Sequence, residues 1–295
     1  TARVDLGMLD VNPYLPPETE GEQAEPVKPV AASGKKGGNQ ATPMKWDNTP
    51  IDLSALSAVN ADIAISSTGL VFQEIKLGET QLSLVLDDGK LKLGLDRFNA
   101  YSGKGKGTVV VNAHKKPYNI STNFRLEGIQ AQPLLTDVAG FDKLMGKGQL
   151  NWQLRTRGIS QRAFVKALGG KVEFSFLDGA VKGANIAQIL RGAQSALKGD
   201  LAGANLDASF DAAAQTDFSE MSGSLQFVKG VGNNTDLKLS SPLLRVSGSG
   251  KVDLPNTKVD YGIKAKLVSS TKCQGGQPAK DLLLPVRFKG TFHDV

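Results

Sequence analysis

The stretch Ser241–Leu267, SPLLRVSGSGKVDLPNTKVDYGIKAKL, alternates apolar and polar residues on both sides of a short turn. Leu244, Val246 and Val252 share one parity with the small Gly248 and Gly250. After the turn Val259, Tyr261, Ile263, Ala265 and Leu267 keep the other. Side chains on a strand point alternately to opposite faces, so each segment has one apolar and one solvated face. A fold built from such strands must cover the apolar face. It does so with a second layer, by closing on itself, or with a ligand.

The alternation recurs along the chain. TQLSLVL and KLKLGL flank Asp87-Asp88-Gly89, a hairpin signal that places Leu82, Leu84 and Leu86 on the same side as Leu91, Leu93 and Leu95. In YNISTNFRL, Tyr118, Ile120, Thr122, Phe124 and Leu126 alternate with polar partners, and Trp152 is in phase with Leu150 and Leu154. Further strands carry Phe174 and Phe176 (KVEFSF) and Val286 and Phe288 (LLLPVRFKGTF). At least a dozen strands joined by short turns point to a mainly β chain, a long curved antiparallel meander. Three amphipathic helices are expected to cap or flank it. One spans QAQPLLTDVAGFDKLMG with Leu134, Leu135, Val138, Phe141 and Leu144 inward. One follows the N-cap Ser160. One follows Asn185, with Ile186, Ile189, Leu190, Ala193 and Leu197 on one side.

Residues 1–15 read as the end of a preceding β-region. Residues 16–45, rich in Pro, Glu, Lys and Gly, read as a disordered linker, and 46–295 as one β-domain in which Trp46 marks the return of ordered structure. The chain starts at Thr1 without methionine and reads as part of a longer protein; no apolar run approaches the ~18–20 residues that span a bilayer.

Catalytic signatures are absent. His114 and His293 are the only histidines and Cys273 the only cysteine, which leaves no zinc spacing, and no nucleophile elbow or P-loop occurs. Gly103–Gly107, GKGKG, reads as a turn between strands, and SGSG at 247–250 as a small-residue stretch within a strand, at either a bulge or a close approach. Asp87, Asp88 and Asp178 are assigned to hairpin turns, and Glu173 and Asp253 to solvated strand faces. The expectation is a non-enzyme with no cofactor and no metal. The net charge of +6 comes from scattered basic residues without interleaved aromatics, which argues against nucleic acid and permits weak attraction to anionic lipid.

The order of several segments resembles the carboxy-terminal region of AsmA-family proteins. The carriers are LDVNPYLPP before the Pro-rich stretch, then IDLSALSAVNADIAISSTGLVFQEIKLGETQLSLVLDDGKLKL, QPLLTDVAGFDKLMGKGQLNWQLRTRG, LGGKVEFSFLDGAVKGANIAQILR, NNTDLKLSSPLLRVSGSGKVDLPNTKVDYGIKAKL and LLLPVRFKGTF. They cover nearly the whole chain outside the linker. The resemblance implies a periplasmic protein of Gram-negative bacteria, held in the inner membrane by an amino-terminal anchor in a part absent from this sequence. It implies kinship with bridge-like lipid-transfer proteins and a role in outer-membrane biogenesis. The implied partners are phospholipid or another membrane lipid, and outer-membrane assembly proteins. On this reading Leu82, Leu84, Leu93, Ile120, Phe124, Trp152, Phe174, Phe176, Val246, Ile263, Val286 and Phe288 line an apolar β-groove. A closed sandwich core in a periplasmic scaffold is the alternative.

Overall fold

A computed structural model of the chain describes residues 2–14, 46–183, 185–197, 213–268 and 283–291. The stretch 16–45, Cys273, His293 and the side chains of Ala193 and Leu197 lie outside what it describes. The strands are β1 (Ala2–Asp10), β2 (Ala61–Phe72), β3 (Ile75–Leu77), β4 (Thr80–Asp87), β5 (Lys90–Ala100), β6 (Gly103–Asn112), β7 (Tyr118–Gln130), β8 (Leu144–Gly158), β9 (Gly169–Lys182), β10 (Gln215–Val228), β11 (Val231–Ser240), β12 (Leu244–Asp253), β13 (Lys258–Leu267) and β14 (Leu283–Thr291). The helices are α1 (Ala131–Ala139), α2 (Gln161–Ala167) and α3 (Ile186–Leu197).

All 14 strands belong to one sheet, and from β4 onward each pairs with the next in sequence; β3 pairs only with β2. The sheet does not close, with β1 and β14 at its edges. It is mixed rather than wholly antiparallel, because β1 runs parallel to β2 with Val4 opposite Ile65 and Met8 opposite Gly69. A parallel pair needs a long connection, and more than 45 residues separate the two strands here. Three hairpins turn on two residues that both hold positive φ, as the right-handed strand twist prefers: Asp88-Gly89 (41° and 73°), Tyr101-Ser102 (49° and 64°) and Lys229-Gly230 (51° and 77°).

Bulges interrupt several strands in the half of the sheet that carries α1 and α3. They fall between Leu95 and Phe98, between Glu127 and Ile129, and at Asp178, and Asp178 and Ser219 are left as an open pair between β9 and β10. A bulge bends its strand and moves the inward parity by one residue. Beyond each one a new set turns inward: Phe98 and Ala100, Ile129 and Ala131, Val181, and Phe218. These residues pack with Leu134 of α1 and with Leu190 of α3, which is fully buried, into one core cluster. Asp178 therefore sits at a bulge inside β9 with φ 47°, not in a hairpin turn.

Two further expectations are corrected. Helix α1 stops at Ala139 because Gly140 takes the left-handed conformation that terminates helices, at φ 64°. Phe141 is then exposed, and Leu144 becomes the first residue of β8. GKGKG is the first half of β6, not a turn. Its glycines lie opposite aromatic side chains: Gly105 pairs with Phe98, Gly107 pairs with Phe124, and a Cβ at either would overlap the ring. Ser160 does cap α2, its hydroxyl accepting from Ala163 N at 3.2 Å, and Asn185 Oδ1 accepts from Gln188 N at 3.0 Å at the start of α3.

Candidate functional site: an apolar strip across the sheet

Cross-strand register places all twelve predicted lining residues on the same face. Leu82 lies between Ile65 and Leu95, Leu84 between Ile63 and Leu93, and Ile120 between Val111 and Thr156. Phe124 faces Trp152, Phe174 faces Leu150, and Phe176 faces Met221. Val246 lies between Leu239 and Ala265, Ile263 faces Val286, and Phe288 faces Tyr261. The apolar parity thus continues without a break from β2 to β14.

Burial divides this face into two zones. Leu82, Phe176 and Val246 are buried, so Val246, which an open trough would leave accessible, is a core residue. Leu84, Leu93, Ile120, Phe124, Trp152, Phe174, Ile263 and Val286 are only partly buried, and Phe288 is 41% exposed. Phe176 and Val246 belong to the core cluster under α1 and α3, whereas Leu82 is buried outside it. The half-open zone runs along the middle of the strands, over which no helix among the described residues is packed. Sequence reasoning missed most of the closed zone. Phe98 and Ile129 follow bulges, and Phe218 lies just beyond the interruption at Asp178 and Ser219, so a period-2 pattern does not collect them.

Within the half-open strip Phe124 and Trp152 stack with ring centroids 4.7 Å apart and 19° between planes. Phe98 meets Phe124 edge-on at 6.4 Å. The Trp152 indole donates to Thr122 Oγ1 at 3.1 Å, which removes its one polar handle from the surface it offers. Farther along, Tyr261 lies over Gly248 and Gly250, where any Cβ would overlap the ring or its backbone; this is a close approach, one of the two expectations at SGSG. Its hydroxyl donates to Asn234 Oδ1 at 2.5 Å. Asn234 Nδ2 donates to Ser224 O at 2.7 Å and to Asp236 Oδ1 at 2.9 Å, and Ser224 Oγ donates to Asp236 Oδ2 at 2.8 Å. This network fills the gap left by the register shift between Asn234 and Leu237. Burial and then the Asp236 charge push the Tyr261 hydroxyl up to about 12.

The strand ends opposite α1 and α3 carry α2 and a strap formed by residues 46–60. The Trp46 indole donates to Leu254 O at 2.7 Å. Arg162 N donates to Asp47 O at 2.9 Å, Ile51 N to Ile159 O at 2.7 Å, and Asp88 N to Asn60 Oδ1 at 3.1 Å. The strap thus runs past the turns between β12 and β5 and then enters β2.

An accessible apolar strip with its polar groups satisfied locally offers non-directional burial and no acid, base or nucleophile. Among the described residues no three His, Cys, Asp or Glu side chains gather as metal ligands, and no helix is long and apolar enough to cross a membrane. No curated protein and no solved structure matches the chain. The sequence model of the AsmA family matches residues 2–237, from β1 into β11. That span is most of the chain, and the chain belongs to the AsmA family.

Proposed function

We propose that the chain is a non-enzymatic lipid-binding module of the bacterial envelope, which holds phospholipid acyl chains along the half-open apolar strip. On this reading it works in the periplasm, in a protein attached to the inner membrane, and serves outer-membrane biogenesis by conducting phospholipid between the two membranes. One observation carries the reading. In-register apolar residues from β4 to β14 stay partly accessible at the middle of their strands, while both ends of β4, β7 and β10 are buried, at Leu82 and Leu86, at Tyr118 and Ile129, and at Phe218 and Phe227. A sheet that needed only a core would seal the middle as well. A strand of about eight residues spans roughly 26 Å, more than the ~15 Å half-thickness of a bilayer core, so acyl chains can lie within the strip. Aliphatic and aromatic lining suits many tails rather than one head group.

The test is lipid extraction and native mass spectrometry of gently purified protein. Co-purifying phospholipid is the expected result. A lipid-free protein that instead captures outer-membrane assembly proteins would favour a scaffold with a closed core.

A further inference from the structure

Because the inward parity is apolar, the charged residues of the central strands collect on the opposite face, and their distribution is uneven. Strands β5–β8 contain nine Lys or Arg (Lys90, Lys92, Arg97, Lys104, Lys106, Arg125, Lys147, Arg155, Arg157) and two carboxylates, Asp96 and Glu127. That is a balance of +7 on four strands, against +6 for the whole chain. Lys115 and Lys116, in the β6–β7 turn, extend the same surface. Strands β9–β11 sum to −2 and end the panel on one side. Strands β12–β14 form a second, smaller positive stretch of +5, a balance that already counts Asp260, which clamps Arg287 through two hydrogen bonds of 2.7 and 2.8 Å.

All nine cations of the panel are exposed. Of these nine, only Arg125 has an ion-pair partner among the described residues, Glu127 at 2.7 Å. Register sets the cations in rows: Lys106 opposite Arg125, and Lys92 and Arg155 in one row through Val110 and Ser121. Two concavities open on this face. One of about 580 Å³ is lined by Lys106, Arg125 and Lys171 with Asp96 and Glu173, the last paired with Lys171 at 2.5 Å, and one of about 460 Å³ by Lys90, Lys115, Lys116 and Arg157 with Asp87 and Asp88. The face carries no aromatic side chain on β5–β8, so it offers no platform for bases.

We propose that this panel docks the protein onto a bilayer surface that contains anionic phospholipid. The proposal rests on the lipid-handling reading, because that reading places the chain beside membranes. Cations spread over four strands, with few carboxylates among them, match a field of phosphate head groups rather than a single anion. Each Lys or Arg near such a surface adds about 1 kcal/mol, and the attraction decays over a Debye length.

The experiment is co-sedimentation of the full chain with vesicles of phosphatidylcholine, with and without phosphatidylglycerol. The wild type should bind only the anionic vesicles, and added salt should release it. The triple variant Lys92→Gln, Lys106→Gln, Arg155→Gln should lose roughly 100-fold in partitioning. A second triple variant, Lys76→Gln, Lys182→Gln, Lys238→Gln, lowers the net charge equally but lies outside the panel, and should keep most of the binding. The panel is refuted if the two triple variants lose equally, if neutral vesicles bind as well, if the wild type binds neither, or if only a soluble phosphate ester is bound. Lipid extraction of the same samples tests the strip separately: a wild type that binds anionic vesicles yet carries no lipid leaves the panel standing and removes the groove.

Discussion

Phe124 and Trp152 face each other across β7 and β8 with their rings stacked at 4.7 Å, and Gly107 sits opposite Phe124 on the other side. The absent side chain at Gly107 is what lets the Phe124 ring lie down over β6. Gly107→Val should therefore destabilise the fold by about 1–3 kcal/mol, the usual cost of overpacking. Gly7→Ala is the contrast, since nothing lies within 4 Å of a Cβ there. Denaturant melts of the two variants should separate clearly; equal stability would show that Phe124 has room to move aside.

The two zones of the apolar face predict different responses to charge. Val246→Glu buries a carboxylate without a partner and should cost several kcal/mol, a large part of a typical total of about 5–15 kcal/mol. Phe124→Glu and Phe174→Glu place the carboxylate on half-open positions that water can reach, so these variants should stay folded and lose bound lipid. Asn123→Glu, on the solvated parity, is the control for both readouts. Melting temperature and lipid content decide it. Unfolding of all three apolar variants, from a wild type without lipid, would mean a closed core throughout.

How far the sequence could be read follows from where period 2 holds. Between bulges it holds, and the twelve apolar residues from Leu82 to Phe288 share one face. At the bulges it fails, so Phe98 and Phe218 fall outside the alternating pattern and the residues around Asp178 mimic a turn. The Asp88-Gly89 hairpin announced itself through its residues, whereas Tyr101-Ser102 adopts the same backbone without glycine and carries no such signal. GKGKG misled because glycine marks both turns and strand positions beneath a ring; only the position of Phe98 and Phe124 across the ladder distinguishes them. Closed and half-open zones were not legible at all, because that division depends on where α1 and α3 come to rest.

The helices offer a test of that division. Leu190 of α3 is fully buried against the sheet, whereas Val138 of α1 is 61% exposed despite its helical phase with Leu134 and Leu135. Leu190→Ala should cost about 2–5 kcal/mol and Val138→Ala almost nothing. Comparable losses at the two positions would contradict the placement of α1.

The strap depends on one end contact. Trp46 donates its indole hydrogen to Leu254 O, and Trp46→Phe keeps an aromatic ring, though a smaller one, and removes the donor. The global stability should fall by about 1 kcal/mol. Hydrogen exchange should quicken at Ile51, whose N–H bonds Ile159 O, before it quickens in β7 or β8. Uniform acceleration across the sheet would show that the strap does not open on its own.

Alkaline pH reports on the Tyr261 network. The hydroxyl ordinarily ionises at 10.0 and in the fold is pushed up to about 12, first by burial and then by Asp236. A raised folded value means that the neutral form is favoured by folding. This contribution is complete below pH 10 and is lost as pH rises through about 12, because the unfolded chain releases its proton first. Tyr101 acts in the same direction, through burial and through the hydrogen bond its hydroxyl donates to Asp137 Oδ2 at 3.0 Å. Stability measured from pH 9 to 12 should therefore fall in the wild type, less steeply in Tyr261→Phe, and least in the double variant with Tyr101→Phe. At neutral pH Tyr261→Phe should cost only about 0.5–1.5 kcal/mol, since Asn234 Oδ1 still accepts from Leu237 N at 3.3 Å. Asn234→Ala should cost more than Tyr261→Phe at neutral pH, because it removes a buried hub and leaves both Tyr261 and Asp236 short of a partner. If the three proteins lose stability in parallel across that pH range, the Tyr261 hydroxyl is solvated in the fold and the network does not hold it.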